Sequence, residues 1–138
     1  MKLFESGLIG KMEVRNRIVM APLGLNLTKY PYTFSRHYVD VLEERARGGV
    51  GLVLTCHVKA ESTIDPYPIR RMQAALDKGY GLGVFSLLTE RVHRHGAKIA
   101  VQICAGSGAC ADAPSRENWP AAPSPVPILA APHLFTRE

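Results

Sequence analysis

Cysteine is scarce in this sequence. Cys56, Cys104 and Cys110 are the only three, and neither their odd number nor their spacing matches the close pairs of a zinc or iron-sulfur site. Free thiols are expected, with a Cys104 to Cys110 disulfide as the alternative. Long apolar runs are also missing. Nothing approaches the length that crosses a bilayer, and "MKLFESGLIGKME" carries Glu5 and Glu13 where a secretory signal needs an unbroken apolar core. A cytoplasmic protein with no membrane partner is expected. The 17 Lys and Arg against 12 Asp and Glu leave a net charge of +5, but the excess is scattered from Lys11 to Arg94. Without a dense basic arm or aromatic-interleaved patch, this balance favours anionic ligands in general and argues against nucleic acid. No G-x-x-x-x-G-K-[ST] loop is present, which excludes a P-loop nucleotidase.

What the chain does contain is globular. Its 138 residues are 46% hydrophobic and 21% charged, enough for one modest core and too few for two domains of ordinary size. "LIGKMEVRNRIVMAP" reads as two short strands around Gly10 and Lys11, followed by a stronger strand over residues 17–21 that Pro22 ends. A polar, aromatic loop over 23–34 leads to a helix over 35–47. Ser35 can cap its first turn, and Tyr38, Val39, Leu42 and Ala46 form its apolar face. "GGVG" stops that helix. Residues 50–55 then form an apolar strand with little alternation, as expected of a parallel strand covered on both sides.

Residues 56–68 read as loop, 69–78 as a short helical piece and 84–95 as a second clear helix, with Val84, Leu87, Leu88, Arg91 and Val92 at helical spacing. "AKIAVQI" begins the next strand. Two successive strand-helix-strand units predict parallel pairing through crossovers, so the fold class is α/β. From residue 104 onward the chain reads as irregular. "APSRENWPAAPSPVPILAAP" holds six of the ten prolines, too many for a helix or central strand, and Trp119 within it reads as an anchor or a lid residue.

In parallel α/β architectures ligands lie beyond the carboxyl ends of the strands. Three such ends can be named: Ala21-Pro22-Leu23-Gly24, Thr55-Cys56-His57 and Gln102-Ile103-Cys104. Gln102 carries one acceptor and two donors, which suits the edge of a heterocycle and equally suits a neighbouring backbone pair. "AGSGA" does not fit the dinucleotide fingerprint, because Ala111 stands where the third glycine belongs and no helix follows. Cys56 and His57 are adjacent in an extended segment, so they point to opposite faces and cannot serve as nucleophile and base to each other; His57 is left with loop packing or an anionic ligand. His93 and His95 sit near a helix end, where the terminus accounts for them without a metal.

"LFESGLIGKMEVRNRIVMAPLG", "ERARGGVGLVLT", "HGAKIAVQICAGSGA" and "AAPSPVP" resemble, in order and spacing, the amino-terminal part of the Old Yellow Enzyme family of NAD(P)H:flavin oxidoreductases. The closer likeness is to its 2-enoate and 2,4-dienoyl-CoA reductase branch. The resemblance implies a TIM (β/α)8 barrel holding FMN at the carboxyl ends of its strands, with the initial hairpin plugging the bottom and about three of eight barrel strands present here. It places Ala21, Pro22, Leu23 and Gly24 against the flavin, Thr55 and Cys56 beside it, and Gln102 in hydrogen bonding to its pyrimidine ring. The implied chemistry is hydride transfer from NAD(P)H to flavin and on to an activated alkene, a small-molecule substrate.

Two departures stand out. Ala109 occupies the place where the branch generally has arginine after Ala-Gly-x-Gly. The proton donor, the main FMN phosphate contacts and the cysteines of an iron-sulfur cluster come from later parts of the family's chain, so a cluster is expected only with a longer chain. A complete barrel takes about 250 residues. The alternative expectation is therefore a catalytically inactive barrel fragment that associates with itself or with a partner through its open sheet.

Overall fold

The computed structural model describes residues 2–29, 33–61, 74–77 and 79–104. The irregular segment expected from residue 105 on, with its Ala-Gly-Ser-Gly-Ala loop, Cys110 and Trp119, lies outside the described residues. So does most of the helical piece expected at 69–78.

A short 3-10 turn, Lys2–Phe4, precedes a hairpin of β1 (Gly7–Ile9) and β2 (Met12–Val14), paired antiparallel with Leu8 opposite Glu13. Gly10 turns the hairpin at φ 60°, a left-handed conformation that glycine adopts without steric cost. The next strand, β3 (Val19–Met20), is shorter than the expected 17–21. Arg15 and Asn16 use the preceding residues to tie the hairpin to the helix ends, so Arg17 does not join the sheet.

The segment expected to be loop over 23–34 contains a small antiparallel pair, β4 (Thr28–Lys29) with β5 (Thr33–Phe34). It positions Phe34 for stacking on Tyr38, with ring centroids 3.9 Å apart. Helix α1 (Arg36–Arg47) begins where the sequence predicts, with the Ser35 hydroxyl accepting the Tyr38 backbone N–H at 3.3 Å.

Strand β6 (Leu52–Lys59) runs four residues past the expected end at Thr55, because β7 (Lys98–Cys104) continues to pair with it. Between them stands α2 (Leu82–Arg94), entered through the 3-10 turn Gly79–Gly81. The expected helical piece at 69–78 is corrected at its described end. Ala75 forms a parallel bridge with Lys59, whose N–H donates to Ala74 O while its carbonyl accepts from Leu76. Pairing with the exposed end of β6 there outweighs local helical spacing.

β3, β6 and β7 form one parallel sheet in the order β3-β6-β7. Both helices pack on one of its faces. Val53 and Val58 from β6 meet Tyr38, Leu42, Leu88 and Val92 in a core where each is at most 1% exposed. Arg91 joins the helices on their outer side, donating to Asp40 and Glu43 at 2.8 Å each. On β7, Val101 and Ile103 stay 40% and 60% exposed: they share the helix-side face with Ile99, but α2 does not reach them.

The hairpin is docked by side chains that replace backbone pairing. Arg15 donates to His95 O at 2.5 Å, Ala46 O at 2.7 Å and Val50 O at 3.1 Å, gathering the carboxyl ends of both helices and the entry to β6. Asn16 donates to Gly49 O at 2.7 Å and accepts from Ile18 N–H at 3.1 Å. Gly51 is required beside it, since a Cβ there would lie 2.5 Å from Asn16 Oδ1.

Candidate functional site

The three strand ends named from the sequence leave one sheet on the same side. Because β3 and β6 are parallel with Met20 opposite Val53, the chain from Ala21 onward departs at the level where β6 carries Leu54 and Thr55. Ala21, Leu23 and Gly24 are exposed and Pro22 is half-buried. Nothing lies within 4 Å of the position a Gly24 Cβ would take, so the backbone there borders open space.

At the second end, β6 carries one more residue than β7. Leu54 pairs with Ala100 and His57 with Gln102, which leaves Thr55 and Cys56 together opposite Val101. Such a bulge interrupts the ladder, and its polar groups need other partners. The Cys56 N–H donates to the Tyr38 hydroxyl at 2.7 Å. The Thr55 hydroxyl donates to Cys56 O at 2.8 Å and accepts the Gln102 N–H at 3.3 Å. Thr55 is therefore wholly buried, with its side chain spent on holding β6 and β7 in register.

Tyr38 and Cys56 share this corner, and both are shifted. Burial pushes the Tyr38 phenol well above its usual range, and its hydrogen bond to Cys56 adds to this. Burial likewise raises the Cys56 thiol, with the Tyr38 hydroxyl bond partly offsetting it. A half-buried, protonated thiol is a poor nucleophile. Together with the extended backbone, this supports the sequence reading that Cys56 and His57 do not form a catalytic pair. Cys56 and Cys104 are free thiols.

At the third end, Gln102 is exposed on the face of the sheet opposite the helices, in line with Ala100. The structure thus joins Gln102 to the Thr55-Cys56 end directly and places the Ala21–Gly24 segment at the same end of the sheet. His93 is exposed, while His95 closes α2 and its ring lies 3.4 Å from Glu43 Oε1. No group of three or more His, Cys, Asp or Glu able to hold a metal occurs among the described residues. Nor is any helix among them long and apolar enough to cross a membrane.

Sequence reasoning missed the bulge. The available signal was the spacing of Val53 and Val58: both are apolar, yet their odd separation cannot put both on one face of a regular strand.

Comparison with known proteins agrees with this geometry. The profile of the NADH:flavin oxidoreductase / NADH oxidase family matches residues 2–133. The chain belongs to that family. Among curated relatives, an NADH oxidase of Thermoanaerobacter brockii is 38% identical over 128 residues, which is 91% of this chain and 19% of that protein. A cinnamate reductase of Clostridium sporogenes is 31% identical over 138 residues, covering 99% of this chain and 21% of that protein. The chain thus spans about a fifth of the length of these relatives and corresponds to their amino-terminal part. Among solved structures, the Old Yellow Enzyme from Pichia sp. AKU4542 superposes with a TM-score of 0.72 at 22% identity, over 80% of this chain and 28% of its own. Its fold is a TIM barrel, and the three parallel strands with their two helices are the amino-terminal portion of that family barrel.

Proposed function

We propose that this chain forms the first part of an FMN site in an NAD(P)H-dependent oxidoreductase that reduces activated C=C bonds of enoate or enone-type substrates. The observation that carries the reading is the convergence of Ala21–Gly24, Thr55-Cys56 and Gln102 at the carboxyl end of one parallel sheet. The likeness to a cinnamate reductase, an enoate-acting protein by name, supports the substrate class. Small molecules rather than nucleic acid or membrane are its proposed partners, and the cytoplasm its proposed location. An iron-sulfur cluster would require cysteines beyond the three in these 138 residues.

The residues fit a flat ring with one polar edge. Gln102 offers an exposed amide with both donors and an acceptor. Leu23 offers apolar surface at 56% exposure, and open space at Gly24 lets backbone approach closely. FMN, when bound, supplies the redox chemistry: it takes hydride from NAD(P)H and passes it to the alkene. The protein groups act on position. Thr55 holds the β7 backbone at Gln102, so the amide is presented from a rigid strand instead of a loop. Cys56, kept protonated by burial, is a neutral neighbour that does not compete as a nucleophile.

FMN titration of the purified 138-residue chain, followed by flavin fluorescence, tests the reading. Saturable quenching at one flavin per chain is expected, and Gln102→Ala should weaken it roughly tenfold, the cost of about one lost hydrogen bond to a polar ring. Absence of binding by a chain that circular dichroism shows to be folded would refute it.

A second reading follows from a specific observation. Val101 and Ile103 are exposed on β7, which has no described strand on its far side. This surface suits a catalytically inactive fragment that self-associates or binds a partner through the sheet. Light scattering over a concentration series separates the two: a concentration-independent monomer that binds FMN removes the association reading.

A further inference from the structure

Val53 and Val58 are both 0% exposed and both belong to the core beneath the helices, although they lie five positions apart on one strand. Strict alternation would put them on opposite faces. On β7 their partners are Ile99 and Ile103, four positions apart and therefore on one face. The extra residue in β6, taken up by the bulge at Thr55 and Cys56, resolves the mismatch. It also decides where His57 points. In a regular strand His57 would share a face with Val53 and be driven against the helices. With the bulge it pairs with Gln102 and shares the opposite face with Leu54, Ala100 and Gln102.

We infer that His57 is a second polar ligand-facing group beside Gln102, a specificity-determining contact for the polar edge of the flavin ring. The inference rests on the flavin reading above. Two observations on this chain carry it. His57 is half-buried while Gln102 is exposed, so the imidazole stands at the rim of the same surface and is not lost in packing. The bulge is also built to persist, since Tyr38 and Thr55 supply the hydrogen bonds that the interrupted ladder lacks. An imidazole can donate or accept, and beside an amide it widens the set of hydrogen bonds that the surface offers to a heterocycle.

The test measures FMN affinity and the reduction potential of the bound flavin in four versions of the full chain: wild type, Gln102→Ala, His57→Ala and His57→Gln. His57→Ala should weaken binding roughly five- to tenfold and move the potential, as expected for the loss of about one hydrogen bond. His57→Gln keeps a donor and an acceptor and should retain most of the affinity. If Gln102→Ala weakens binding while His57→Ala matches wild type in both readouts, the inference falls and the flavin site stands. A folded wild-type chain that binds no FMN overturns both. Loss of the folded circular dichroism signal in His57→Ala assigns the residue to packing and also overturns the inference.

Discussion

Replacing Arg15 should loosen the joint between the hairpin, both helices and the central strand. Its guanidinium spans three carbonyls, His95 O, Ala46 O and Val50 O, at 2.5, 2.7 and 3.1 Å. Two of them terminate helices, where a cation also meets the negative end of the helix dipole. The bonds to His95 and Val50 are exposed, so in Arg15→Ala water replaces much of them and each costs roughly 0.5 kcal/mol. The bond to Ala46 O is half-buried, and its loss costs roughly 1.5 kcal/mol. The expected destabilisation is about 2.5 kcal/mol, or about 8–10 °C in Tm for a chain of this size. Arg15→Lys should recover less than half, because a single ammonium cannot span three acceptors. Urea unfolding followed by circular dichroism gives the midpoint. A loss below about 0.5 kcal/mol for Arg15→Ala, or full recovery by lysine, would refute the view of Arg15 as a shared helix cap.

Gly51→Ala should cost on the order of 2–3 kcal/mol, since its Cβ would fall 2.5 Å from Asn16 Oδ1 and 2.7 Å from Asn16 O. Thermal melting checks this, and Asn16→Ala in the same background should relieve only part of it, because the Asn16 backbone oxygen remains. Tyr38→Phe keeps the ring stacked on Phe34 but leaves the Cys56 N–H without its partner, a cost of roughly 1–3 kcal/mol in urea midpoint measurements. The same substitution should change the alkaline limb of stability. Tyr38 ionises in the folded state only well above its ordinary value of 10.0, so its contribution is complete below pH 10 and is lost as pH rises and the unfolded chain ionises first. Stability measured from pH 8 to 11 should therefore fall less steeply in Tyr38→Phe than in wild type.

Much of this protein was legible from residue pattern alone. Ser35 and the apolar stripe of Tyr38, Val39, Leu42 and Ala46 specify α1, since a cap and a 3.6-residue period are local properties. Unbroken apolar runs flanked by glycine mark β6 and β7 as buried parallel strands, and the strand-helix-strand order then admits one kind of pairing. The three strand ends, with Gln102 among them, follow from that topology. Tertiary structure decided what no local window contains. The length of β6 was set by the partner that β7 offered, and the fate of Ala74–Leu76 by the free end of β6. The facing of His57 depended on an inserted residue whose backbone groups found Tyr38 and Thr55, one of them 18 positions away from Cys56. Periodicity reports which side chains avoid water, but a bulge or a joint such as Arg15 is held by hydrogen bonds between segments far apart in the chain, and only folding brings their partners within reach.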